Sequence, residues 1–167
     1  MGLPFFIQTR SETVREDYLK KLKEINVSTI AIGVEHGSEE YRKKYMNRRM
    51  SNSELQRSFA LVNKYGIRTT ANVIMALPYE DEKTFQETIK LLRILKPKSI
   101  SISYLQPFHG TVMREMAVKE GHIKPDHIIT DSTKCMRMPQ FSAEKIRHYY
   151  ENFQKYVNGE IELEQIP

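Results

Sequence analysis

Four polar side chains fall where extended segments run out: Arg10, Glu35, His36 and His109. Arginine suits a carboxylate, and glutamate suits a ribose hydroxyl or an ammonium group. Histidine suits proton transfer near neutral pH. Arg10 and Glu35 can also simply pair with each other. Cys135 is the single cysteine of 167 residues. It excludes an intramolecular disulfide, a Cys-x-x-Cys redox motif and any cluster held by several thiolates of this chain. A small, partly buried thiol in a reducing, cytoplasmic setting is the expectation. A metal held by His122 and His127 lacks a partnering carboxylate set.

Alternating strands and helices must position these groups. Strand patterns cover Leu3 to Thr9, Ser28 to Val34, Ile67 to Leu77 and Ser99 to Leu105, rich in Ile, Val, Thr and Phe. Helical spacing follows each one. Val14, Tyr18, Leu22 and Ile25 form one face and Leu55, Phe59 and Val62 another, then come Phe85, Ile89, Leu92 and Leu95. Ser38, Ser51 and Thr111 are expected N-caps, with Glu54 completing a capping box at Ser51. Asn26 and Gly66 supply helix ends. Residues 122–140 read as an irregular excursion with at most one short strand. Ser142 then caps a last helix with Ile146, Tyr150, Phe153 and Val157 inward, and the final eight residues read as a frayed tail.

Four strands each followed by a helix imply parallel βα units. A doubly wound sheet would be apolar in both strand phases, and this one is not. Ile30, Ile32, Val34, Ala71, Val73, Ile100 and Ile102 share one phase; Gln8, Arg10, Thr29, Gly33, Glu35, Thr70, Asn72, Ser101 and Ser103 share the other. The expected fold class is therefore α/β, an incomplete TIM-like barrel of about four parallel βα units with helices outside and a polar cavity inside, plus a carboxyl-terminal helix. One domain spans 1–167, with the partial barrel at 3–120 and the irregular segment and closing helix at 121–167. In such folds chemistry sits at the carboxyl ends of the strands. Gln8, His36, Ser103 and His109 are the substrate-facing candidates.

Charge and hydropathy exclude some partners. Net charge is +5, and no apolar run is long enough to cross a bilayer. The start at Met1 lacks the pattern of a secretory signal. Arg42, Lys43, Lys44, Arg48 and Arg49 could read phosphate or nucleic acid, but a solvated helix end, with Glu39 and Glu40 at its start, is the favoured reading. No nucleic acid partner is expected.

The strand ends also carry a resemblance. Gly33-Val34-Glu35-His36-Gly37-Ser38, Arg48-Arg49-Met50-Ser51, Ile74-Met75-Ala76-Leu77-Pro78 and Pro107-Phe108-His109-Gly110-Thr111 occur in order and spacing. Together with Arg10 they resemble the third to sixth barrel strands of the radical S-adenosylmethionine superfamily, in its cobalamin-domain-associated branch. The resemblance implies a partial (β/α)6 barrel that contributes to an S-adenosylmethionine and substrate cavity. It implies Arg10 and Glu35 at the ribose or methionine part and Ile74, Ala76, Leu77, Leu105 and Gln106 on the adenine side. Asn72 joins this set from the polar phase. Ala76 and Tyr79 stand where the family has glycine, and His109 where it has proline. The family's three-cysteine motif, which holds a [4Fe–4S] cluster, is absent. The expectation is the carboxyl-terminal half of such an enzyme, whose cluster and any cobalamin are not bound by this chain alone. Its partners are then the small-molecule cofactor, an unknown substrate, and an amino-terminal barrel half or a self-associating copy. A stand-alone half-barrel binding module or pseudoenzyme is the alternative. A fragment should expose an oily edge at Phe5 to Ile7, and a stand-alone module should bury it in a dimer.

Overall fold

The computed structural model describes residues 2–166; Met1 and Pro167, the ends of the expected 1–167 domain, lie outside the described residues. Four parallel strands, β1 (Phe5–Thr9), β2 (Val27–Glu35), β3 (Arg68–Met75) and β4 (Ser99–Tyr104), form one sheet in the order β1-β2-β3-β4. Each is followed by helix: α1 (Glu16–Glu24), then α2 (Glu39–Tyr45) and α3 (Asn52–Lys64), then α4 (Glu82–Leu95), then α5 (Val112–Lys119). α6 (Ala143–Asn158) packs against α4.

The two strand phases separate as the residue types demand. Thr9, Ile32, Ala71 and Ile100 lie opposite one another across the sheet, as do Val73 and Ile102. Ile30, Ile32, Val34, Ala71, Val73 and Met75 are buried in the core, where α1 packs on β2 and α3 on β3. In the other phase Gln8 is opposite Ala31, Ala31 opposite Thr70, and Thr70 opposite Ser99. Asn72 pairs with Ser101 and Ile74 with Ser103. Gln8, Ser99, Ser101 and Ser103 are exposed while Ala31 and Thr70 are buried, so this phase is a polar face open along β1 and β4.

Local signals set the boundaries. Ser51 accepts the Glu54 amide while Glu54 accepts the Ser51 amide, and Asp81 and Thr84 form a second reciprocal cap. Thr111 and Ser142 cap α5 and α6 with their side chains, whereas Ser38 occupies its N-cap without a side-chain hydrogen bond. Asn26 adopts φ 64° after α1, the left-handed turn expected of it. Phe85, Ile89, Leu92 and Leu95 of α4 are all buried, each worth about 1.5–3 kcal/mol of transfer from water.

Three expectations are corrected. α1 buries Leu19 and Leu22, leaving Tyr18 and Ile25 exposed, because Leu19 shares a face with Leu22 at three-residue spacing. α6 buries Ile146, Tyr149, Phe153 and Tyr156, with Val157 partly buried against the same core and Tyr150 left 38% exposed. Tyr149 donates to Glu82 Oε1 (2.9 Å), whereas Tyr150 stacks on Tyr104 with ring centroids 4.5 Å apart. The tail is docked: Gln86 Nε2 donates to the Glu164 carbonyl (3.1 Å), and Arg93 Nη2 to that of Ile161 (3.2 Å). Within the 122–140 excursion, an isolated bridge joins Met138 to Phe141.

Candidate functional site

The carboxyl end of β2 departs from strand geometry. Register slips between Gly33 and Glu35, and Glu35 takes φ 66°, in the left-handed region. Its carboxylate folds back over Gly33: a Cβ on Gly33 would stand 2.4 Å from Glu35 Oε1 and 3.6 Å from Arg48 Nη1. Glycine at 33 thus leaves the space that these two side chains occupy. Arg48 Nη2 lies 2.9 Å from Glu35 Oε1, with the side chains only 18% and 16% exposed. Arg48 Nη1 is buried without a hydrogen-bond partner. Burial raises the pKa of Glu35, outweighing the opposing charges of Arg48 and Arg10.

Glu35 and Arg48 line an open cavity of about 360 Å³ together with Tyr45, Met46, Ile74 and Met113. The arrangement offers a carboxylate and a guanidinium with one unused edge against an apolar wall. Such a wall takes a flat apolar group, the guanidinium a carboxylate, and Glu35 a hydroxyl or ammonium.

A rigid junction holds this site from behind. His36, expected to face substrate, is fully buried instead. Its Nδ1 accepts from the Ser38 amide (3.1 Å), which fixes the ring proton on Nε2, 3.3 Å from Glu80 Oε1. Glu80 Oε2 accepts the Leu77 amide (3.1 Å), so the pair ties the end of β2 to the turn after β3. Tyr41 stacks on His36 with ring centroids 4.3 Å apart and donates to the Pro78 carbonyl. Burial, with the Glu80 charge next, pushes the Tyr41 pKa up and keeps this donor protonated. Arg42 is fully buried, and donates from Nη1 to the carbonyls of His36 (2.5 Å) and Gly37 (3.1 Å) and from Nη2 to Met50 O (3.0 Å) and Asn52 Oδ1 (2.8 Å). Arg42 is thereby unavailable to phosphate and Arg48 is engaged with Glu35, which leaves Lys43, Lys44 and Arg49 as the exposed cations of the run. Gly37 lets α4 approach, since a Cβ there would sit 2.3 Å from the backbone of Glu87 and Thr88.

The remaining candidates are dispersed. Arg10 is exposed and reaches Glu35 only as a neighbouring charge. Gln8 and Ser103 are exposed and Asn72 half-buried, all on the open face. His109 is exposed in the turn before α5. Ala76 and Leu77 are fully buried. Ala76 and Tyr79, the two residues at expected glycine positions, take φ 60° and 63°. Leu105 and Gln106 line a different cavity, beyond β4, with His122 and Cys135. Glu35 and Ile74 are the expected pair that shares one cavity. Arg48 and Tyr45 complete it; sequence marks Arg48 only as one of five similar cations and as part of the motif before α3, not as a site residue.

The donor set does not fit a [4Fe–4S] cluster. Among the described residues no group of three His, Cys, Asp or Glu could hold a metal, and burial raises the pKa of the single thiol, Cys135. No helix among them is long and apolar enough to cross a membrane.

Comparison with known proteins gives a consistent picture. The family model described as "Radical SAM superfamily" matches residues 1–92. An uncharacterized protein of Methanocaldococcus jannaschii, MJ0486, is 28% identical over 113 residues, covering 66% of this chain and 35% of that protein. The coproporphyrinogen III oxidase HemN of Escherichia coli, a radical SAM enzyme, superposes with a TM-score of 0.67 at 16% identity, over 90% of this chain and 32% of that one. Elp3 of Methanocaldococcus infernus gives 0.66 at 16% identity, over 94% and 33%. The radical S-adenosylmethionine methyltransferase TsrM of Kitasatospora setae, solved with cobalamin and a [4Fe–4S] cluster bound, gives 0.60 at 18%, over 88% and 30%. These identities show a shared fold. The chain spans about a third of the length of each of these relatives.

Proposed function

This chain belongs to the radical SAM superfamily, and from that premise we propose that it forms the carboxyl-terminal wall of a radical S-adenosylmethionine site. The observation that carries the proposal is the Glu35–Arg48 pair, held over Gly33 in the cavity that Ile74 also lines. The unused Nη1 of Arg48 takes the carboxylate of the methionine part. Glu35 takes a ribose hydroxyl or the ammonium, and Ile74 and Met113 pack against adenine. Asn72 and the serines of β4 face substrate from the open side of the sheet. S-adenosylmethionine supplies one-electron chemistry when it is bound beside a cluster. The cluster itself is supplied by strands that continue the sheet past β1, because one cysteine cannot stand in for three thiolates. The outer edge of β1 suits that joint: β1 pairs with β2 alone among the described strands, and Phe5 and Phe6 are 55% and 57% exposed.

Within this site the chain's own groups bind and orient. Arg48 and Glu35 neutralise each other in a half-buried setting, so a zwitterionic amino acid group can replace their mutual contact with matched contacts at small net cost. The buried His36–Glu80 pair and Arg42 fix the two strand ends on which the site stands.

Calorimetry with S-adenosylmethionine tests the proposal. Arg48→Ala and Glu35→Ala should each weaken binding at least about tenfold, the loss of one charged hydrogen bond. Binding that both variants retain overturns it. Sedimentation of the chain with a polypeptide carrying the three-cysteine strands tests the joint: a one-to-one complex is expected, and a stable dimer of this chain alone would favour the stand-alone module.

A further inference from the structure

Beyond β4 lies a second cavity, of about 410 Å³, that the cofactor leaves without an occupant. One loop divides it from the first. Leu105, Gln106 and Pro107 line this cavity, while Thr111, Val112 and Met113 line the one that holds Glu35 and Arg48. Phe108, 62% exposed, stands on the turn between them. The two cavities therefore open at the same end of the sheet, on either side of the β4–α5 connection.

The cavity is preformed. Arg114 is buried and donates to the carbonyls of Pro107 (2.9 Å), Pro125 (3.0 Å) and His127 (2.7 Å), joining the strand end to the opposite wall. Gln106 Nε2 closes another side through the Ser132 carbonyl (3.1 Å). A wall fixed in this way spares a ligand the entropy of ordering it.

Its charge is one-sided. Lys124, Lys134 and Arg137 line it against a single carboxylate, Asp131. Lys134 lies 3.3 Å from Asp131, and no ion pair among the described residues matches Lys124 or Arg137. Both ring nitrogens of His122 are shut off from solvent, and the imidazole interacts with the Arg137 main chain. Burial pushes the pKa of that imidazole down, which leaves it neutral at pH 7 with one N–H to donate. Two cations without an ion-pair partner, lining one cavity beside that imidazole, are a recognition set for a compact oxyanion.

We propose that this cavity lies beside the cofactor site and holds a carboxylate or phosphate group of the substrate through Lys124 and Arg137, with His122 steadying the Arg137 main chain. Its role as the substrate pocket rests on the function proposed above; its affinity for an oxyanion stands on the cavity itself.

The test follows the methyl groups of Ile123, Ile129 and Met136 by NMR while the full chain is titrated, separately, with inorganic phosphate and with succinate at constant ionic strength. Saturable shifts of these methyls are expected, and the anion that produces them tells a phosphate group from a carboxylate. The double variant Lys124→Ala/Arg137→Ala should weaken the response at least about tenfold. His122→Leu should weaken it too, whereas His122→Gln, which restores an N–H donor, should recover most of it. Shifts reproduced by sodium chloride, or retained in the double variant, overturn the proposal. A parallel titration with S-adenosylmethionine separates the two readings. Failure of Ile74 and Met113 to respond overturns the cofactor site and leaves the oxyanion pocket standing; the reverse pattern overturns the pocket alone.

Discussion

At the carboxyl ends of β2 and β3, His36, Arg42 and Glu80 are fully buried and bonded across elements, while along β1 Phe5 and Phe6 are more than half exposed beside a strand edge with no partner among the described residues. The first region is finished from within this chain. Arg42 alone engages three backbone carbonyls and the Asn52 side chain, and Gly37 is pressed against α4. The second region is a strand whose apolar residues are not yet covered. The difference separates what the chain must hold rigid to present a ligand site from what it offers for joining. A strand edge that natural proteins usually blunt with charge or proline carries two phenylalanines instead.

The sharpest way to break this contrast is to remove the clamp. Arg42→Met should cost about 3 kcal/mol or more, because it leaves buried carbonyls without donors; a loss below about 1 kcal/mol in urea unfolding would show that the junction is not self-supporting. Gly37→Ala comes next. Its Cβ would meet the α4 backbone at 2.3 Å, and forcing them apart should cost about 1–3 kcal/mol in the same assay.

A pH profile sharpens the site itself. The folded chain holds the Glu35 proton more tightly than the unfolded chain, burial being the main cause. The group's contribution to stability is therefore full below its unfolded pKa and lost as pH rises through its folded one. The unfolding free energy of the wild type minus that of Glu35→Gln should fall as pH rises through the carboxylate range, and a rise would contradict the burial argument. The smallest effect belongs to the edge. Phe5→Lys/Phe6→Lys should change stability by no more than about 0.5 kcal/mol yet abolish association with the cluster-bearing strands in sedimentation. A large loss of stability would mean that the edge is already part of this chain's core.

Much of this architecture is local, and local features were readable. β-branched runs placed the strands, alternation separated the buried phase from the open one, and Ser51 with Glu54 announced a capping box. The misreadings share a cause. In α1 and α6 neighbouring positions are both apolar or aromatic, Tyr18 beside Leu19 and Tyr149 beside Tyr150, so spacing cannot choose the buried one; contact with β2 does so for α1 and contact with α4 for α6. The strand-end position of His36 suggests a substrate-facing group because its partner Glu80 arrives from the next βα unit. Arg48 was hidden among five cations, and its engagement depends on a left-handed turn at Glu35, a conformation that sequence does not announce for glutamate. Ala76 and Tyr79 show the converse. Their positive φ angles lie in the left-handed region that glycine enters freely, so the backbone takes that shape with alanine and tyrosine in place.

The central claim is that the cavity of Glu35 and Arg48 receives S-adenosylmethionine. Methyl NMR of the full chain titrated with S-adenosylmethionine tests it most directly. The account expects saturable shifts at the methyls of Met46, Ile74 and Met113, which share that cavity, and their loss in Arg48→Ala. Shifts confined to Ile123, Ile129 and Met136, or a response unchanged in Arg48→Ala, would contradict it.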